Sequence, residues 1–91
     1  MARRVHAVVK GRVQNVGFRM FVLQAAERLR LSGWVRNLPD GGVELEAEGD
    51  DQAINALIAQ VRQGPRMARV DEMRVDARVP RGDERALFTV R

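Results

Sequence analysis

The stretch Gly11-Arg12-Val13-Gln14-Asn15-Val16-Gly17-Phe18-Arg19 holds the residues best suited to chemistry in this chain. Glycines at both ends, with an asparagine between them, allow positive φ angles that most residues refuse. A loop of that kind turns successive N–H groups toward one point and forms an anion nest. It runs straight into a helical apolar pattern, whose first-turn N–H groups and dipole also favour negative charge. Arg19 sits in that first turn, where its guanidinium can grip two oxygens of a phosphoryl group. This is not a Walker-type loop, because the lysine and the serine or threonine of that motif are missing.

A second candidate is Asn37, which closes Gly33-Trp34-Val35-Arg36-Asn37 just before Leu38-Pro39-Asp40-Gly41-Gly42. An asparagine before a turn commonly bonds its own backbone. If its strand returns beside the first loop, it presents a carboxamide to whatever the loop holds. Other polar residues read as structural. Trp34 is expected to pack, Asp50-Asp51 to cap a helix, and His6 to lie on a sheet face or the surface. Thr89 and Ser32 lack a base at motif spacing, and there is no serine-centred nucleophile elbow.

Composition narrows the chemistry further. Ninety-one residues predict one domain, residues 1–91, with one core. There is no cysteine, which excludes disulfides, thiol catalysis and cysteine-ligated metals. His6 is the only histidine, too few good ligands for a zinc site, so no metal or cofactor is expected. Net charge is +4 and every basic residue except Lys10 is an arginine, a composition suited to planar contacts with phosphate or carboxylate. Base composition of the genome or growth at high temperature accounts for it equally well. No apolar run approaches the ~20 residues of a membrane span. Met1-Ala2-Arg3-Arg4-Val5-His6 is a basic lead without the apolar stretch of a signal peptide, so a cytoplasmic protein is expected.

The elements that must carry these residues follow from periodicity. From Val5 to Arg12 the pattern is strand-like, with Val5, Ala7 and Val9 on one face and His6, Val8 and Lys10 on the other. Phe18, Phe21, Val22, Ala25 and Leu29 then make a helical stripe, with Ser32-Gly33 as its terminator. Trp34 to Leu38 reads as a short strand, Pro39 to Gly42 as a hairpin turn, and Val43, Leu45 and Ala47 alternate with outward Glu44, Glu46 and Glu48. Ile54, Leu57, Ile58 and Val61 form the core face of a second helix, stopped by Gly64-Pro65. The strand from Ala68 to Val79 changes parity, which predicts a bulge near Asp71-Glu72. Pro80-Arg81-Gly82-Asp83 turns into a last strand, Arg85 to Val90, with Phe88 and Val90 as core contacts. The order βαββαβ plus a short final strand predicts an α+β, ferredoxin-like split βαβ sandwich: an antiparallel sheet with both helices on one face.

Together the two chemical stretches resemble the acylphosphatase family. Its first signature is an apolar residue, any residue, glycine, any residue, Val-Gln-Gly-Val, any residue, Phe or Met, and arginine. Here it reads Val9-Lys10-Gly11-Arg12-Val13-Gln14-Asn15-Val16-Gly17-Phe18-Arg19. The second runs from glycine-aromatic through asparagine to a spaced glycine and valine, here Gly33-Trp34-Val35-Arg36-Asn37, Gly41 or Gly42, Val43 and Gly49. One position departs: Asn15 stands where the family usually has glycine, and asparagine is the substitute best able to adopt the left-handed region.

The resemblance implies an acylphosphate phosphohydrolase. Arg19 would bind the phosphate, Asn37 would orient the attacking water, and the N–H groups of Gln14, Asn15, Val16, Gly17 and Phe18 would complete the cradle. It also implies a small-molecule acyl phosphate as substrate and inorganic phosphate as product and inhibitor. A monomer with no nucleic-acid or membrane partner is expected. Three rivals stay open. An RNA-binding module shares the fold, but the row Glu44, Glu46, Glu48 would repel a phosphate backbone. A carbamoyl-phosphate-handling domain of a larger machine and a catalytically weak relative with a narrowed cradle are the others.

Overall fold

The computed structural model describes residues 2–82 and 86–91. Seven elements follow one another: β1 (Ala2–Arg12), α1 (Phe18–Arg28), β2 (Ser32–Asn37), β3 (Val43–Asp50), α2 (Asp51–Gln63), β4 (Arg69–Arg78) and β5 (Phe88–Val90). The sheet order is β4-β1-β3-β2-β5. The four long strands pair antiparallel, as the ferredoxin-like reading expects, while β5 runs parallel to β2, so the sheet is mixed. Phe88 faces the core, but Val90 is 39% exposed and is not the core contact expected of it. The expected turn residue Asp83 and the expected strand start Arg85 lie outside the described residues.

The alternating apolar positions of β1 and β3 pair directly, Val5 with Ala47 and Val9 with Val43, so one side of the sheet is continuous hydrocarbon. Val22, Ala25 and Ala26 of α1 and Ile54, Leu57 and Val61 of α2 are buried against it. Phe18 is 1% exposed and fills the start of α1, with Phe21 beside it at 6.2 Å between ring centroids. Removing the Phe18 ring would cost about 3–5 kcal/mol as lost transfer energy plus cavity. The parity break in β4 is a bulge: Lys10 pairs with Glu72 and Gly11 with Val70, leaving Asp71 without an opposite number.

Two expectations about local structure are corrected. Helix α1 ends before Ser32-Gly33, because Arg30 takes the left-handed conformation (φ 58°). The N–H of Arg30 then bonds Glu27 O and that of Leu31 bonds Ala26 O, the paired bonds of a Schellman motif. Burial of Leu31 supplies the apolar contact that holds an arginine in a glycine-favoured place. Gly33 instead lies within β2 at φ 138°, where a Cβ would sit 2.0 Å from Glu46 O.

The second correction concerns Glu48, which points away from the helices yet is 1% exposed. Arg4 Nη1 bonds it at 3.1 Å, and the N–H groups of Arg81 and Gly82 cap its two oxygens at 2.7 and 2.9 Å. Burial pushes this carboxyl up, but the Arg81 N–H, the Arg4 guanidinium and the Gly82 N–H outweigh it and hold it below the usual range. On the same face His6 Nε2 meets Glu44 Oε2 at 2.7 Å, and Arg36 bonds the other oxygen of Glu44.

Candidate active site

The loop between β1 and α1 is fastened by its apolar residues. Val13 and Phe18 are fully buried and Val16 is packed against the core, so the backbone between them has little freedom. Gly11, Asn15 and Gly17 all take positive φ (134°, 62° and 77°), as their types suggest. Asn15 is thus the substitute residue in the left-handed region, at the point where the family pattern has glycine.

Gly17 is the N-cap of α1, with no side chain capping the helix and no acidic residue in its first turn. The first backbone bond of the helix is Phe21 N–H to Gly17 O at 3.0 Å. Among the described residues, no protein acceptor takes the N–H groups of Asn15, Val16, Gly17, Phe18, Arg19 or Met20. Helix ends normally satisfy such donors with a side chain, water or a ligand. Here a run of donors lies at the positive end of the helix dipole, the electrostatic setting that favours negative charge.

The β2–β3 turn brings Asn37 to the same place. Leu38 N–H bonds Gly42 O at 2.8 Å and Asp40 Oδ1 accepts from Gly42 N–H at 2.9 Å, so Asp40 does the capping that a pre-turn asparagine often does. The carboxamide of Asn37 has no hydrogen-bond partner among the described residues. Gln14 ties the turn to the loop. Its Nε2 donates to both Leu38 O and Gly42 O, each at 2.8 Å.

These pieces enclose a cleft of about 240 Å³. Val13, Asn15, Gly17, Phe18, Arg19, Met20, Asn37 and Val90 line it. Among the described residues, no acidic side chain lines it. Arg19 Nη1 donates to the main-chain oxygen of Arg91 at 3.1 Å, which steadies the guanidinium at the edge of the cleft. Arg91 is itself held by its N–H on Val35 O (2.8 Å) and by its guanidinium over the Trp34 ring (4.6 Å). Trp34, on the sheet face away from the helices, therefore stacks with an arginine, and Arg36 lies at 5.8 Å from the same ring.

Of the residues singled out from sequence, Asn15, Gly17, Phe18, Arg19 and Asn37 meet at the cleft. Gln14 and Val16 do not line it: the Gln14 side chain turns back to the hairpin and Val16 turns into the core. Met20, which was not singled out, and Val90, which was expected in the core, also line the cleft. Met20 carried a signal, since an apolar residue off the α1 stripe in its first turn has no core to face. Val90 carried none, because its place depends on β5 lying parallel to β2. Asp50, by contrast, takes its expected place as the N-cap of α2, its carboxylate accepting from Gln52 N–H at 3.1 Å.

The sequence model of the acylphosphatase family matches residues 5–90. The chain belongs to the acylphosphatase family. An acylphosphatase of Chlorobaculum tepidum is 55% identical over 73 residues, covering 80% of this chain and 79% of that one. The solved structure of an acylphosphatase from Coxiella burnetii superposes with a TM-score of 0.92 at 38% identity, over 99% of this chain and 93% of that one. The HypF structure from T. kodakarensis also contains the fold (TM-score 0.82, 37% identity). The match takes in 98% of this chain but 12% of HypF.

Proposed function

We propose that this acylphosphatase-family chain hydrolyses the carboxyl–phosphate anhydride of acyl phosphates to a carboxylate and inorganic phosphate. The observation that carries the reading is one cleft shared by the Asn37 carboxamide, the Arg19 guanidinium and a run of amide donors, the carboxamide and the amides having no partner among the described residues. The phosphoryl oxygens lie among the N–H groups from Gln14 to Phe18 and the guanidinium of Arg19. Asn37 holds a water through its carboxamide and aims it at phosphorus. A new P–O bond forms as the bond to the acyl oxygen breaks, and the water's proton passes to a phosphate oxygen.

The leaving carboxylate is a weak base and needs no general acid, while a neutral carboxamide is no strong base. Positioning and charge stabilisation therefore supply the rate. Charge spreads over the equatorial oxygens in the transition state, where donors fixed in advance act without reorganisation cost. In this reading the enzyme is a metal-independent, cofactor-free cytoplasmic monomer formed by a single domain, acting on a small molecule rather than on nucleic acid or membrane.

The test is hydrolysis of benzoyl phosphate in the presence of EDTA. Arg19→Ala should lower kcat/KM by about a hundredfold or more, equivalent to about 2.7 kcal/mol of transition-state stabilisation. Asn37→Ala should lower kcat while leaving competitive inhibition by inorganic phosphate largely intact. Wild-type turnover in the Arg19→Ala protein, or activity abolished by EDTA, contradicts the proposal.

A further inference from the structure

We propose that the chain carries a second ligand site on the sheet face away from the helices. It is a cationic pocket that takes the oxyanion head, carboxylate or phosphoryl, of a small organic acid. The pocket encloses about 180 Å³ beside β2 and β5 and shares no lining residue with the cleft of Arg19 and Asn37. The inference does not depend on the acyl-phosphate reading, because it concerns a different set of residues.

The first observation is a hydroxyl without a partner. Val35 is buried in the core, so strand alternation puts Ser32 and Trp34 of β2 on the outer face. Ser32 lies opposite Glu48 in the register of β2 with β3. Both Glu48 oxygens are already taken, by Arg4 and by the N–H groups of Arg81 and Gly82. The Ser32 hydroxyl is left buried, the residue being 2% exposed, with no hydrogen-bond partner among the described residues. Such groups are uncommon in folded chains, because burial forfeits their bonds to water. Ser32 lines this pocket, where an oxygen of a ligand would supply the missing acceptor.

The second observation is charge. Arg4, Arg81 and Arg91 all line the pocket, and no acidic side chain does so among the described residues. Arg4 is engaged by Glu46 through Nε and by Glu48 through Nη1. The guanidinium groups of Arg81 and Arg91 have no carboxylate partner among the described residues, and Arg91 lies instead over the Trp34 ring at 4.6 Å. A carboxylate or phosphoryl group accepts paired bonds from such a planar fork, so two forks without a counter-charge favour an anion. Leu87 also lines the pocket and is 82% exposed, which offers hydrocarbon to the body of the ligand. Inorganic phosphate has no such body, and it fills this pocket less well than it fills the run of amides at α1.

The experiment titrates phenyl phosphate, benzoate and benzyl alcohol into the ¹⁵N-labelled intact chain, as wild type and as Arg19→Ala. Saturable shifts at Gly33, Leu87, Thr89 and the Trp34 indole N–H are expected with an anion in both proteins, and none with benzyl alcohol. The anion that binds more tightly identifies the head group as phosphoryl or carboxylate. Ser32→Ala and Arg81→Gln should each weaken this binding by about tenfold, the loss of one hydrogen bond to a charged group. Benzoyl phosphate turnover should stay at the wild-type value in both, and Ser32→Ala should not lower Tm, since its hydroxyl has no bond to lose. Shifts absent with both anions, an equal response to benzyl alcohol, or affinity unaltered in both variants overturns the site. The same shifts in a chain that hydrolyses no benzoyl phosphate would support this site and refute the acyl-phosphate reading alone.

Discussion

Gln14 is the side chain whose loss should separate positioning from binding. Its amide nitrogen holds two carbonyls, Leu38 O and Gly42 O, at 2.8 Å each, and Leu38 directly follows Asn37. Replacing it with alanine removes two half-buried hydrogen bonds. At about 1 kcal/mol net apiece, with both carbonyls keeping a backbone donor within the turn (Gly41 N–H on Leu38 O, Leu38 N–H on Gly42 O), the loss is about 2 kcal/mol. For a domain of this size that lowers Tm by roughly 8–16 °C. Gln14→Glu keeps the shape but sets a carboxylate against both carbonyls, so at neutral pH it should be at least as harmful. The turn would then be free to drift from the loop, and a misplacement of about 1 Å can cost on the order of a hundredfold in rate. The assay is benzoyl phosphate kinetics with phosphate inhibition, alongside thermal melts. A fall in kcat of tenfold to a hundredfold is expected, with the phosphate inhibition constant changing far less, because Arg19 and the α1 amides do not hang on this clamp. Unchanged kcat and Tm, or a loss confined to phosphate affinity, refutes the reasoning.

Two further outcomes follow from residues already placed. Asn15→Gly should leave benzoyl phosphate turnover equal to or above wild type, since φ of 62° costs glycine nothing. A clear loss would assign the asparagine carboxamide a role of its own. Glu48→Gln should flatten the acid dependence of stability followed by Tm between about pH 5 and pH 3, around the unfolded carboxylate value. Glu48 is held below its ordinary value in the folded chain, so on acidification the unfolded chain binds the proton first. Wild type therefore loses stability as pH falls through that window, and the glutamine variant lacks this contribution. An identical acid limb in both proteins would contradict the assigned network.

Much of this was legible in the residues themselves. Alternation, clean in β3 and broken in β1 only by Val8, is a one-face-buried signal, and the parity change in β4 located the bulge because a single extra residue moves every later side chain to the other face. Gly11, Asn15 and Gly17 showed where the backbone would turn, and Arg19 and Asn37 met where their motifs implied. What stayed hidden depended on tertiary partners. Arg30 gives no hint of a left-handed helix end, since the buried Leu31 beside it imposes that conformation. Glu48 looks like one of three equivalent outward glutamates until Arg4 and the Arg81–Gly82 backbone close over it. The Gln14 clamp joins residues 24 and 28 positions apart, and local pattern carries no information about that distance.

The most direct measurement is a titration of inorganic phosphate into ¹⁵N-labelled protein, following the backbone amides one by one. Saturable shifts concentrated at Asn15, Val16, Gly17, Phe18, Arg19 and Met20, and lost or greatly weakened in Arg19→Ala, are predicted. Phosphate that moves none of these amides, or moves them equally in the absence of the arginine, would contradict the claim that they form one anion site.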